Sequence, residues 1–163
     1  MGFTNSGSPI IFQKRVGRKK RHFILVKFRT MPISTKDLPT HEVDSSTISK
    51  YGSFLRRNKL DELPQLWNVL IGDMSIVGPR PCLENQKELI EERSLLSVFD
   101  VRPGITGLAQ INGVDMSTPE ILASSDAKMI KNLNLVNYLK YILLTLGGSG
   151  SGDRTKNKIP NRK

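Results

Sequence analysis

The sequence predicts an α+β domain: a small antiparallel β element with several amphipathic helices. Three observations carry that expectation. Residues 9–14 (PIIFQK) and 22–28 (HFILVKF) are rich in β-branched and aromatic residues and flank a polar, glycine-bearing VGRKKR stretch, the pattern of a β-hairpin. Beyond residue 46, apolar residues recur mainly at helical spacing. At 163 residues the chain is long enough for one domain with its own core, and it shows no internal repeat.

The elements follow in order. The hairpin has a very basic tip. Residues 31–46, with two prolines and many small polar residues, read as a loop. Ile48, Tyr51, Phe54 and Leu55 mark a helix over 47–58. Asp61 opens a second helical pattern, with Leu63, Leu66, Trp67 and Leu70 on one side; of these Leu66, Trp67 and Leu70 are assigned to the core. Pro64 is tolerated in its first turn, where amide donors lack partners anyway, and Gly72 ends it. Residues 75–77 form a short buried strand and 84–96 an acid-rich amphipathic helix. Residues 102–107 (RPGITG) are a turn, 108–111 a short strand, and 118–123 a short helix capped by Ser117 or Thr118. Residues 133–146 form an apolar helix, too short to span a bilayer, that packs on the domain or lies in a membrane interface. The domain is therefore drawn at 1–146, and 147–163 is a flexible basic tail or linker.

Charge narrows the partners. The net charge is +10, and the first 36 residues hold nine Lys or Arg and no acid. Such a balance calls for an anionic partner, whether nucleic acid, an anionic membrane surface or a phosphorylated substrate. The single cysteine, Cys82, excludes an internal disulfide, and with only His22 and His41 beside it a structural zinc site is not expected. There is no secretory signal, no Walker-type loop and no dinucleotide fingerprint.

Residues 55–81 (LRRNKLDELPQLWNVLIGDMSIVGPRP) carry the chemistry. Adjacent carboxylates, Asp61 and Glu62, stand between Arg56, Arg57 and Lys59 on one side and Arg80 on the other. Asp61 can serve as a helix N-cap and Glu62 as a first-turn acid favourable to the helix dipole. The same geometry serves a reaction. Neighbouring helical residues diverge by about 100°, so one carboxylate can face a phosphorus while the other faces a metal. A carboxylate can act as a covalent nucleophile, and magnesium takes one or two carboxylates together with substrate phosphates. In GPRP, two prolines stiffen the backbone around Arg80, which lowers the entropy lost when its guanidinium fork engages a phosphate; a rigid surface turn is the plain alternative. Arg102 stands in a second stiff turn, and Lys27 alternates with Arg29 along a strand.

Three blocks, 6–31 (SGSPIIFQKRVGRKKRHFILVKFRTM), 54–81 and 101–114 (VRPGITGLAQINGV), make the chain resemble the bacterial sugar transferases, and more narrowly the monotopic phosphoglycosyl transferases. The resemblance implies transfer of a sugar-1-phosphate from a UDP-sugar to a polyprenyl phosphate, with magnesium as cofactor. It implies that Asp61 is the nucleophile, which forms a phosphosugar intermediate and releases UMP, and that Glu62 binds metal. It also implies that Lys27, Arg56, Arg80 and Arg102 contact substrate phosphates. The family works at the cytoplasmic face of the bacterial inner membrane, initiating surface polysaccharide or glycoconjugate synthesis. Two departures stand out. Family members carry a hydrophobic re-entrant helix ahead of this region, and without it the chain is expected to be soluble. Val114 stands where the family commonly has arginine. Two other classes fit the charge: a nucleic-acid-binding surface, disfavoured by few aromatic stacking positions and no reader motif, and a catalytically idle membrane- or polyanion-binding module.

Overall fold

The computed structural model describes residues 8–32 and 48–150. Strands β1 (Ile10–Val16) and β2 (His22–Phe28) form the expected antiparallel hairpin, in a register that pairs Ile11 with Lys27, Gln13 with Leu25 and Arg15 with Phe23. Since side chains alternate along a strand, Arg15, Phe23, Leu25 and Lys27 share one face. Phe23 and Leu25 on that face are buried, while Phe12 and Ile24 on the other are exposed. The tip is a 3-10 turn, Arg18–Lys20, with Lys19 and Lys20 both at positive φ.

The loop expected at 31–46 lies outside the described residues but for 31 and 32, as does the tail from 151. Helix α1 (Lys50–Arg57) begins where Ser49 accepts from the Gly52 amide, an N-cap. Leu55 is buried, but Tyr51 and Phe54 of the expected apolar stripe are exposed. A left-handed Lys59 then starts a 3-10 turn, Leu60–Glu62, which leads into α2 (Gln65–Leu70) with Pro64 as N-cap. Gly72, at φ 88, ends the helix as expected.

Helix α2 reverses the expected polarity. Leu66, Trp67 and Leu70, assigned to the core, are exposed, Leu70 by 79%. The buried residues are Gln65 and Asn68. Asn68 faces the outer edge of β2, accepting from the Val26 amide at 3.0 Å and donating to the Ile24 carbonyl at 2.7 Å. A sheet edge needs polar partners, and one carboxamide supplies both donor and acceptor.

Strand β3 (Ser75–Val77) is where the sequence placed it, but its partner is not. β4 (Gly104–Thr106), inside the expected turn, pairs with β3 in parallel. The strand expected at 108–111 is instead a helical turn, α4 (Leu108–Ile111). This second sheet depends on close approach of two glycines: a Cβ on Gly104 would stand 2.0 Å from the Gly78 amide nitrogen, so only glycine lets the GPRP and RPG turns touch. Helix α3 (Lys87–Leu95) is shorter than expected and buries Leu89 and Arg93; α5 (Pro119–Lys131) is longer, and neither Ser117 nor Thr118 caps it through a side-chain bond. Helix α6 (Leu135–Leu146) starts at Asn134, which accepts from the Asn137 amide.

Buried apolar residues gather in three clusters. Val16, Cys82, Leu89, Phe99, Ala109 and Leu122 join the turn end of the hairpin to α3, α4 and α5. Phe23, Leu25 and Met74 lie under the hairpin, and Val77, Met129 and Tyr141 tie β3 to α5 and α6. An antiparallel bridge, Val16 amide to Cys82 carbonyl at 3.0 Å, fastens the hairpin beside the GPRP turn. Arg93, buried in α3, pairs with fully buried Asp126 in α5 at 2.6 Å.

Candidate active site

One cleft gathers most of the predicted site. Lys27, Arg56, Asp61, Glu62 and Arg80 all line it. Asp61 is only 6% exposed, so the dyad turn points its carboxylate inward rather than capping a helix; Lys59 and Pro64 hold the cap positions. Glu62 accepts from Arg80 Nη2 at 2.8 Å, which joins the dyad directly to the GPRP turn. Arg56 is buried and its Nε donates to the Thr30 hydroxyl at 2.9 Å, whereas Arg57 faces solvent. The Arg56 Nη1 atom is buried without a hydrogen-bond partner among the described residues.

Arg80 is held from behind. Pro79 and Pro81 are buried, and Arg93 Nη1 donates to the Arg80 carbonyl at 2.8 Å. The buried Arg93–Asp126 pair therefore braces the backbone that presents the Arg80 guanidinium. Burial pushes the Asp126 carboxyl up, with the charge of Arg93 pulling the other way.

Arg102 is not part of this group. It lies exposed in a second cleft with Arg18, Lys19 and Arg21 of the hairpin tip and with Gly72 and Asp73 at the end of α2. Arg29 is also elsewhere, its Nε donating to the Ser8 carbonyl. Val114, where the resemblance expects arginine, does line the main cleft.

Sequence reasoning missed several residues of the cleft. Arg15 reaches it because it shares the hairpin face of Leu25 and Lys27; the alternation of residues 13 to 15 with 25 to 27 held that signal. Gln65, Thr106, Gln110, Thr145 and Gly150 also line it, with no sequence signal of their own. Lys59 Nζ donates to the Ser149 carbonyl at 2.7 Å, and burial lowers the Lys59 pKa ahead of the opposing charge of Glu62. Both side-chain carboxamide atoms of Gln110, Nε2 and Oε1, are buried without a hydrogen-bond partner among the described residues. Leaving such a group unsatisfied costs about 1–3 kcal/mol.

The cleft thus has two walls. One, from β1, β2, α1, the dyad turn and GPRP, is charged. The other, from β4, α4 and the end of α6, carries the neutral side chains Thr106, Gln110 and Thr145, and the loop after α4 adds one carboxylate, Asp115. The first suits a diphosphate and a divalent cation. The described residues offer no cluster of three or more His, Cys, Asp or Glu fit to enclose a metal. Magnesium needs no such cage. It keeps much of its water and binds through one or two carboxylates plus substrate phosphates, which the Asp61–Glu62 pair in an open cleft fits.

A family model for the bacterial sugar transferases matches residues 1–149. The chain belongs to that family. It is 36% identical over 160 residues to the UDP-galactose-lipid carrier transferase of Erwinia amylovora, covering 88% of this chain and 33% of that protein. It is 38% identical over 152 residues to the UDP-glucose:undecaprenyl-phosphate glucose-1-phosphate transferase of Xanthomonas campestris pv. campestris, covering 86% and 31%. It is 40% identical over 141 residues to the uncharacterized sugar transferase EpsL of Bacillus subtilis, covering 86% and 69%. The chain therefore spans about a third of the length of the first two relatives. None of its described helices is long and apolar enough to cross a membrane.

Proposed function

We propose that this domain is a phosphoglycosyl transferase that moves a sugar-1-phosphate from a UDP-sugar to a polyprenyl phosphate through an acyl-phosphate on Asp61. The observation that carries this reading is the burial of Asp61 in a cleft shared with Lys27, Arg56 and Arg80. Further support comes from relatives named for UDP-sugars and lipid carriers. In the first step a carboxylate oxygen of Asp61 bonds to the sugar-bearing phosphorus, the bond from that phosphorus to the bridging oxygen breaks, and the electron pair leaves with UMP. In the second, an oxygen of the lipid phosphate bonds to the same phosphorus, the bond to Asp61 breaks, and the carboxylate is restored. Lys27, Arg56 and Arg80 orient the diphosphate and oppose its developing charge. Magnesium, held at Glu62, supplies further charge neutralisation when bound.

The acceptor's lipid tail requires the cleft to open near a bilayer. Two exposed surfaces support docking at the cytoplasmic face: the apolar side of α2 that follows the dyad, and the basic hairpin tip, which shares a cleft with the end of α2. Cations near an anionic bilayer contribute on the order of 1 kcal/mol each. Products of this kind begin surface polysaccharides or glycoconjugates.

The test is incubation with a panel of UDP-sugars, with and without magnesium, followed by UMP assay and intact-mass measurement. We expect UMP release and a mass increase of one sugar phosphate, both lost in Asp61→Asn. UMP release undiminished in that variant sinks the nucleophile assignment. Vesicle binding by the wild type without any UMP release leaves the idle membrane-binding module instead.

A further inference from the structure

We propose that Gln110 recognises the uncharged part of the donor nucleotide sugar, a deepening that rests on the proposed function. Both polar atoms of its carboxamide are buried in the cleft wall without a partner among the described residues. Its polar neighbours on that wall are already engaged. The Thr106 and Thr145 hydroxyls lie 2.5 Å apart, and Thr145 donates to the Tyr141 carbonyl at 2.8 Å. Gln110 therefore holds unspent donor and acceptor capacity.

Chemistry selects the ligand. A phosphate at neutral pH mainly accepts, so it leaves the carboxamide oxygen unmet. Phosphates belong instead on the charged wall, where Arg56 Nη1 offers a buried donor. Gln110 needs a neutral group that gives and takes a hydrogen bond side by side. Neighbouring hydroxyls do this, and so does the imide edge of a pyrimidine. A UDP-sugar carries such groups on both sides of its diphosphate, on the sugar and on the uridine. Exchange of the carboxamide nitrogen and oxygen leaves the argument unchanged, because both positions are unmet.

The experiment uses calorimetric titration of the full chain with UDP-glucose, UDP-galactose and UMP, beside thermal melts, for wild type, Gln110→Met and Gln110→Leu. An apolar replacement removes two unsatisfied buried groups, so the fold is expected to melt at the same temperature or higher. The dissociation constant for at least one UDP-sugar is expected to rise tenfold or more. A parallel rise for UMP assigns the contact to the nucleoside; unchanged UMP binding assigns it to the sugar. Unchanged affinity for all three ligands overturns the proposal, as does a clear fall in melting temperature in both variants, which would make Gln110 a structural residue. Binding is read without turnover. A wild type that binds UDP-sugar but releases no UMP fails the transferase reading while leaving Gln110 tested. A wild type that binds none of the ligands overturns both.

Discussion

At the scale of single residues, environment decides what each group does. Asp61 and Glu62 are neighbours in sequence with different surroundings. The first is buried in the cleft, while the second is tied to Arg80 at 2.8 Å. Cys82 shows the opposite outcome. It is fully buried, and burial pushes its thiol up, with the nearby Arg93 opposing. The thiolate is the reactive form, so this sulfur is expected to be inert in the folded chain. Iodoacetamide at pH 8 should label it only at the rate at which the fold opens. Labelling as fast as in guanidinium-unfolded chain would contradict the burial. Asp61, Glu62, Arg56 and Arg80 stood out in sequence because an acid pair flanked by arginines is unusual, whereas Arg15, on the hairpin face of Lys27, did not. Gln110 was not, because a glutamine in an apolar stretch becomes informative only once its partners, or their absence, are known.

At the scale of elements, α3 and α5 are joined by a buried charge pair, Arg93 with Asp126, whose second role is to hold the Arg80 carbonyl. Removing one partner strands the other. Arg93→Met is expected to cost about 3–5 kcal/mol in denaturant unfolding, while Arg93→Met with Asp126→Leu should recover much of that loss. The sign of the pH dependence follows from Asp126. Its folded pKa is already raised by burial, and losing Arg93 raises it further. The folded chain then holds a proton that the unfolded chain has released, so the stability of Arg93→Met falls as pH rises from the ordinary carboxylate range through the raised value. Equal losses at pH 5 and pH 8 would refute this. The hairpin was legible because alternation and a glycine-bearing turn act locally. β4 was not: three residues of a PGITG turn become a strand only because Gly78 lies against Gly104. The apolar run at 108–111 read as a strand because short apolar runs do not reveal their period.

At the scale of the whole molecule, exposed apolar surface outweighs what the composition led one to expect. Leu63, Leu66, Trp67, Leu70 and Ile71 are exposed around α2, and Leu135, Val136, Leu139, Leu143 and Leu146 on α6. A stripe of such residues has the same spacing whether it meets a core or a lipid, which is why sequence placed Trp67 inside. Trp67→Ser with Leu70→Ser is therefore expected to change unfolding free energy by less than about 1 kcal/mol, against the 3–5 kcal/mol typical of an emptied core aromatic. The same variant should lose most of its flotation with anionic vesicles. A large stability loss would return these residues to the core. The edge of the folded unit also moves. Composition places a flexible linker from residue 147, yet Lys59, next to the dyad turn, is tethered to Ser149. Gly150, at φ 74, rests on the backbone carbonyl of Gln110, where a Cβ would stand 2.2 Å away. A shortened version ending at 146 would keep every described helix and strand but open the pocket on one flank, so a crystallisation or expression boundary is safer drawn past the glycine-serine turn than before it.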